Sequence, residues 1–62
     1  MSPMQTRDLI RLLNKNGFEE TRQSGSHITM KNFNTGKTVT IVNTREQAPG
    51  TLRNILKTAG LK

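Results

Sequence analysis

The sequence has no cysteine, tryptophan or tyrosine, one histidine and two phenylalanines among its 62 residues. Each shortage closes a route. Without Cys there are neither disulfides nor thiolate ligands, and one His cannot by itself hold a zinc ion, so the staples that rescue many small folds are missing and no metal or other cofactor is expected. Without rows of aromatics, recognition of successive bases by stacking is closed, which leaves Lys and Arg contacts to phosphate or ribose as the route to a nucleic acid. No apolar run approaches the roughly 20 residues of a membrane span. Met1 to Gln5 has no basic start followed by an apolar stretch, so the expectation is a cytoplasmic protein with no membrane partner. Acidic pairs are also lacking: Glu19 and Glu20 are adjacent and fall on opposite sides of a strand. The glycines are isolated, which excludes a phosphate-cradling loop of the Walker type.

What is there is basic. Ten Lys and Arg stand against four Asp and Glu, a formal charge of +6, and this points to anionic partners. The same charge also suits a small domain that needs only to stay soluble. Along the chain, Arg7, Arg11 and Lys15 are cancelled by Asp8, Glu19 and Glu20. The excess therefore follows Glu20, from Arg22, Lys31 and Lys37 to Arg45, Arg53, Lys57 and Lys62. A chain this short buries about 60% of the surface it exposes when unfolded, so residues 1–62 make one domain with one small core.

Leu9, Ile10, Leu12 and Leu13 share one side of a helical wheel, with Arg7, Arg11 and Lys15 opposite. The pattern predicts an amphipathic helix capped by Thr6, or by a Ser2–Gln5 capping box, ended by Gly17, with Phe18 folded back onto Leu13. Leu52, Ile55, Leu56 and Ala59 predict a second helix ended by Gly60, with Leu61 turned towards Leu56. Its start falls to Pro49 in the first turn or to Thr51 as cap. Between the helices, residues 26–33 and 37–42 alternate, with Ile28, Met30, Val39 and Ile41 on one face and His27, Thr29, Lys31, Thr38 and Thr40 on the other. Asn34-Thr35-Gly36 and Ser24-Gly25 read as hairpin turns, which makes Glu19 to Gln23 a first strand. The expected order is helix, three antiparallel strands, helix, with both helices on the apolar face and the other face open.

His27 is the one side chain whose ordinary pKa suits proton transfer near neutrality, and parity puts it on the open face. An idle surface His is the alternative. Ser26 beside it has no base to make it a nucleophile. Arg22, Lys31 and Lys37 lie within reach of the strands that carry His27, though each is equally readable as a solvated charge.

Gly25-Ser26-His27, the block Pro49-Gly50-Thr51-Leu52-Arg53-Asn54-Ile55-Leu56-Lys57-Thr58-Ala59-Gly60-Leu61, and the run Asp8 to Leu13 followed by Asn16-Gly17-Phe18 together carry a resemblance. The chain resembles HicA-type mRNA interferase toxins over nearly its whole length. The resemblance implies an α+β fold, the small double-stranded-RNA-binding-domain-like α-β-β-β-α unit, in agreement with the order read from periodicity. It also implies an endoribonuclease that cuts mRNA without a metal, with His27 in the place of the family's catalytic histidine, and a HicB antitoxin that silences it. Arg22, Ser26, Lys31 and Lys37 are then the candidates for RNA contact. An antitoxin that covers His27 is expected to be acidic there. The chain departs from the family pattern at Met30, where many members have an aromatic residue. It also departs after the third strand, where Val42-Asn43-Thr44-Arg45 replaces a proline and often a second histidine. A mechanism that needs two imidazoles is excluded by the single His. Other readings of the same residues are a non-catalytic RNA-binding module of this fold and a subunit that only binds a protein partner.

Overall fold

The structure, a computed structural model, describes residues 3–61. Strand β1 (Met4–Gln5) leads into helix α1 (Thr6–Lys15), strands β2 (Phe18–Ser24), β3 (His27–Asn32) and β4 (Thr38–Val42), the short strand β5 (Glu46–Gln47) and helix α2 (Pro49–Ala59). β2, β3 and β4 form an antiparallel sheet in that order, and both helices lie against one of its faces. The expected α+β arrangement of three strands and two helices is therefore present, and it is compatible with a double-stranded-RNA-binding-domain-like fold. β1 and β5 add a two-stranded antiparallel pair, Met4 opposite Gln47 and Gln5 opposite Glu46, that the periodicity did not predict. Two residues are too short to show an alternation.

The core follows the predicted parity. Leu9 and Leu13 of α1, Phe18, Ile28, Met30, Val39 and Ile41 of the sheet, and Leu52, Ile55 and Ala59 of α2 form one buried cluster. Ile10 and Leu56 pack at its margin, half-buried. The cluster is all apolar, and at about 25 cal/mol per Å2 its burial is the main force holding so small a chain.

The helix ends are less simple than predicted. Thr6 is not the cap of α1 but its first residue, and Gln5 precedes it without a capping side chain. The reason is β5 and the residue before it: Arg45 O accepts the Thr6 N–H at 3.0 Å, and the Thr6 hydroxyl accepts the Gln47 side-chain N–H at 2.8 Å, which takes the group that would have capped. The alternative Ser2–Gln5 capping box involves Ser2, which lies outside the described residues. Pro49, not Thr51, opens α2, where its fixed φ suits the first turn and its missing N–H costs no hydrogen bond. Gly60 closes α2 at φ 76°, and Leu61 N–H donates to Leu56 O at 2.9 Å, the long bond of a Schellman end.

The strands also shift at their ends. β2 starts at Phe18 and runs to Ser24, so the first turn is Gly25-Ser26 instead of Ser24-Gly25, with Gly25 at φ 59°. β3 stops at Asn32, and Phe33 falls in the second turn with its ring exposed. Asn32 explains that stop: its Oδ1 accepts the N–H groups of Asn34 at 2.8 Å and Thr35 at 3.2 Å, while its Nδ2 donates to Asn16 O at 3.1 Å. One buried amide thus ties the end of α1 to the β3–β4 turn.

Candidate functional site

The open face of the sheet can be read from the register. Residues directly opposite each other across an antiparallel pair share a face, which gives three cross-strand rows. Ser24, His27 and Val42 form the first, Arg22, Thr29 and Thr40 the second, Glu19, Lys31 and Thr38 the third. Arg22 keeps its place because the register shifts between Glu20 and Arg22, leaving Thr21 as the extra residue of a β-bulge. Without that bulge, the alternation that begins at Phe18 would send residue 22 to the helix side. The Thr21 hydroxyl donates to Thr29 O at 3.3 Å across the irregularity.

His27 is exposed in the row nearest the Gly25-Ser26 turn, as parity required. Its cross-strand neighbours, Ser24 and Val42, carry no group able to act as a second general base. Val42 is 39% exposed and sets an apolar surface beside the imidazole. Arg22 is diagonal to His27, about 7–8 Å away between backbones, which is within reach of a side chain as long as arginine. Ser26 sits in the turn itself, and its carbonyl accepts the Asn43 N–H at 2.6 Å, fastening the turn to the end of β4.

The two lysines are placed differently. Lys31 is four residues along β3 from His27, about 13 Å at the rise of a strand. It is half-buried, lies opposite Glu19, and holds its ammonium 5.1 Å from the centre of the Phe33 ring. Lys37 turns away: a Cβ added to Gly60 would lie 2.5 Å from its Nζ, which puts the ammonium at the C-terminal end of α2, where the helix dipole favours a cation. The structure thus brings Arg22 and Ser26 to His27, sets Lys31 at the far end of the same face and separates Lys37 from it.

Two depressions mark the surface. One, about 320 Å3, runs between β4 and α2 and is lined by uncharged residues, Thr38, Thr40, Thr51, Asn54 and Thr58 among them. The other, about 350 Å3, lies where α1 begins and β4 ends, and includes Arg7, Asn43, Thr44 and Arg45. The charge pattern counts Arg7 as cancelled and Arg45 within the later excess and marks neither as a site residue; only the pairing of β1 with β5 brings the two arginines to one place. Among the described residues, no group of three or more His, Cys, Asp or Glu side chains is arranged to hold a metal ion, and no helix is long and apolar enough to cross a membrane.

A family model for the HicA toxin of bacterial toxin–antitoxin systems matches residues 6–61. The chain belongs to the HicA toxin family. That membership makes it a toxin component and gives it a cognate antitoxin as partner. No curated protein and no solved structure matched the chain. The matched span runs from the first residue of α1 to the residue after Gly60, so it includes His27 and both helices.

Proposed function

We propose that this HicA-family chain, residues 1–62 acting as one domain in the cytoplasm, is an endoribonuclease that cuts mRNA without a metal and so arrests translation and growth. The observation that carries the reading is the position of His27. The chain's one imidazole stands exposed on the uncovered face of the sheet, in the row beside the turn, with Arg22 as its diagonal neighbour in the register.

The chemistry suited to these groups is attack by the RNA's own 2′-hydroxyl on the adjacent phosphate. A bond forms from the 2′-oxygen to phosphorus, the bond to the 5′-oxygen breaks, and the products are a 2′,3′-cyclic phosphate and a free 5′-hydroxyl. The step needs one group to remove the 2′ proton, one to protonate the leaving oxygen, and positive charge for the phosphorane between them. His27 takes one proton-transfer role, and water or substrate takes the other. Arg22 supports the developing charge. With one imidazole the enzyme is slow, which suffices for a toxin that acts by lowering message levels.

The test is to incubate the pure protein and its His27→Ala variant with an unstructured mRNA, with and without EDTA. Cleavage that persists in EDTA and vanishes in the variant is the expected result. A second reading, a non-catalytic RNA-binding module, draws support from the absence of a second base in the His27 row, and it predicts bound but intact RNA. The partner is proposed to be a HicB-type antitoxin with an acidic surface laid over His27, which inhibits by covering the face that mRNA needs. Because His27→Ala removes only an imidazole, that variant is expected to lose cleavage and still bind the antitoxin.

A further inference from the structure

The depression at the start of α1 is a second cationic feature, outside the rows of the open face. Its two arginines come from distant parts of the chain. Thr6 N–H donates to Arg45 O at 3.0 Å, which sets residue 7 beside residue 45. Arg7 Nε donates to Gln5 Oε1 at 3.0 Å, which orients the guanidinium plane and engages one of its five N–H donors. Asn43 lines the same space, and no acidic residue does; Asp8 and Glu46, the chain neighbours of the two arginines, are exposed and lie outside the lining. At about 350 Å3 the cleft has room for far more than the roughly 30 Å3 of one water molecule. Two arginines lining a space of that size, with no acidic residue in the lining, match a phosphate with its sugar attached.

Its position matters as much as its charge. Val42 is opposite His27 in the register, and the next residue, Asn43, both donates its N–H to Ser26 O and lines the cleft. Arg45 is three residues beyond Val42, at most about 11 Å of chain. The cleft thus begins at the end of β4 that carries the His27 row, within the spacing of one or two nucleotides.

We propose that the cleft between Arg7 and Arg45 binds an RNA backbone phosphate next to the one cut at His27. The inference rests on the ribonuclease reading and adds a substrate subsite to it. Neither arginine touches the reacting atoms, so the subsite raises affinity and sets the register of the strand without taking part in the bond changes.

The test uses a fluorescein-labelled single-stranded 20-nucleotide RNA in His27→Ala protein, with anisotropy read over a range of salt. Arg7→Gln with Arg45→Gln is compared with Arg11→Gln with Arg53→Gln, exposed residues outside the cleft that remove the same net charge. Loss of the cleft pair is expected to weaken binding on the order of tenfold, as for charge-assisted bonds to one phosphate, and to reduce the slope of log K against log salt by about 0.7. The control pair should change both much less. In protein that retains His27, the cleft pair should raise KM and leave kcat within about twofold.

Equal losses from both pairs, or an unchanged affinity and slope, overturn the subsite while the cleavage reading stands. RNA affinity kept while affinity for a HicB-type antitoxin is lost assigns the cleft to the protein partner and also overturns it. Wild-type protein that binds RNA through the two arginines but never cuts it refutes the ribonuclease, and with it a phosphate neighbouring a scissile one. Melting temperatures equal to wild type in all variants confirm that the comparison is between folded proteins.

Discussion

The two faces of the three-stranded sheet are made from alternate residues of the same strands, and they do different work. On the helix side Ile28, Met30, Val39 and Ile41 are almost wholly buried between α1 and α2. One residue away, His27, Thr38 and Thr40 are exposed, with Thr29 and Lys31 half-buried. Neighbours in sequence are thus separated by parity into residues that hold the fold and residues left open to solvent, where the proposed partners would bind. The open face can change its side chains without unfolding the protein, provided the covered face is left intact.

The largest expected effect comes from breaking that separation on the covered side. Ile28→Ala removes most of a fully packed side chain and leaves a cavity, for about 2–5 kcal/mol. In a domain of this size that lowers the melting temperature by about 4–8 °C per kcal/mol, enough to endanger folding near 37 °C. Thr29→Ala, the next residue but on the other face, should stay within about 0.5 kcal/mol. Thermal melts of the two variants decide the matter. Similar losses from both would mean that the open face is packed against something as well.

A smaller effect, of about 1–3 kcal/mol, is expected from the one polar residue placed on the covered side of β3. Asn32 is 7% exposed, and Asn32→Ala leaves the Asn16 carbonyl and the Asn34 and Thr35 amides without their partner. Asn32→Asp keeps an acceptor for the turn but sets a second oxygen against Asn16 O. Chemical denaturation should therefore find both variants destabilised, with native-state hydrogen exchange quickened at residues 34 and 35 in the alanine variant alone. Exchange unaltered at those amides would remove the amide's assigned part in stopping β3.

Asn32 and Gln47 also mark the limit of what the sequence discloses. The two helices, the three main strands, the core and the exposure of His27 all follow from periodicity, because each depends on side chains repeated along one element. The departures depend on single side chains that bond across the fold. Thr6 has the composition of a cap, but Gln47, 41 residues away, takes its hydroxyl. Asn32 has the parity of the core and a polar amide, a conflict that patterning cannot resolve without knowing where Asn16 lies. The site divides in the same way. Arg22 owes its place to a bulge, and Arg7 meets Arg45 only through two-residue strands, so neither is visible to a rule about alternation. Charge summed along the chain made the first twenty residues neutral, whereas in the fold Arg7 lines a cleft with Arg45 whose lining includes none of the acids that cancelled it. Lys37 shows the reverse, a cation close in sequence to the open face whose ammonium is at the end of α2.

The smallest effect concerns Lys31, and it separates stability from binding within the open face itself. Lys31 lies opposite Glu19 and near the Phe33 ring, so its charge has partners in the protein as well as a proposed one in RNA. Lys31→Glu sets two carboxylates across the strand pair, and like charges directly opposite cost roughly 0.2–1 kcal/mol, with any cation–π contribution from the exposed ring, about 0.5–1 kcal/mol, lost too. Combining it with Glu19→Lys restores opposite charges across the same row, and the net charge returns to that of the wild type. The melting temperature should recover by part of the difference, since the cross-strand attraction returns but the contact with Phe33 does not. RNA affinity responds to something else. If phosphate is held by the total charge of the face, the exchanged protein binds as tightly as wild type with the same salt slope. If Lys31 contacts a phosphate at its own position, the exchange moves that charge about 5 Å to the edge strand and affinity stays as low as in Lys31→Glu. We expect the first outcome, because His27 and the Arg7–Arg45 cleft lie towards the other end of the sheet, with Arg22 in the row between, and the Lys31 ammonium is already held over the Phe33 ring.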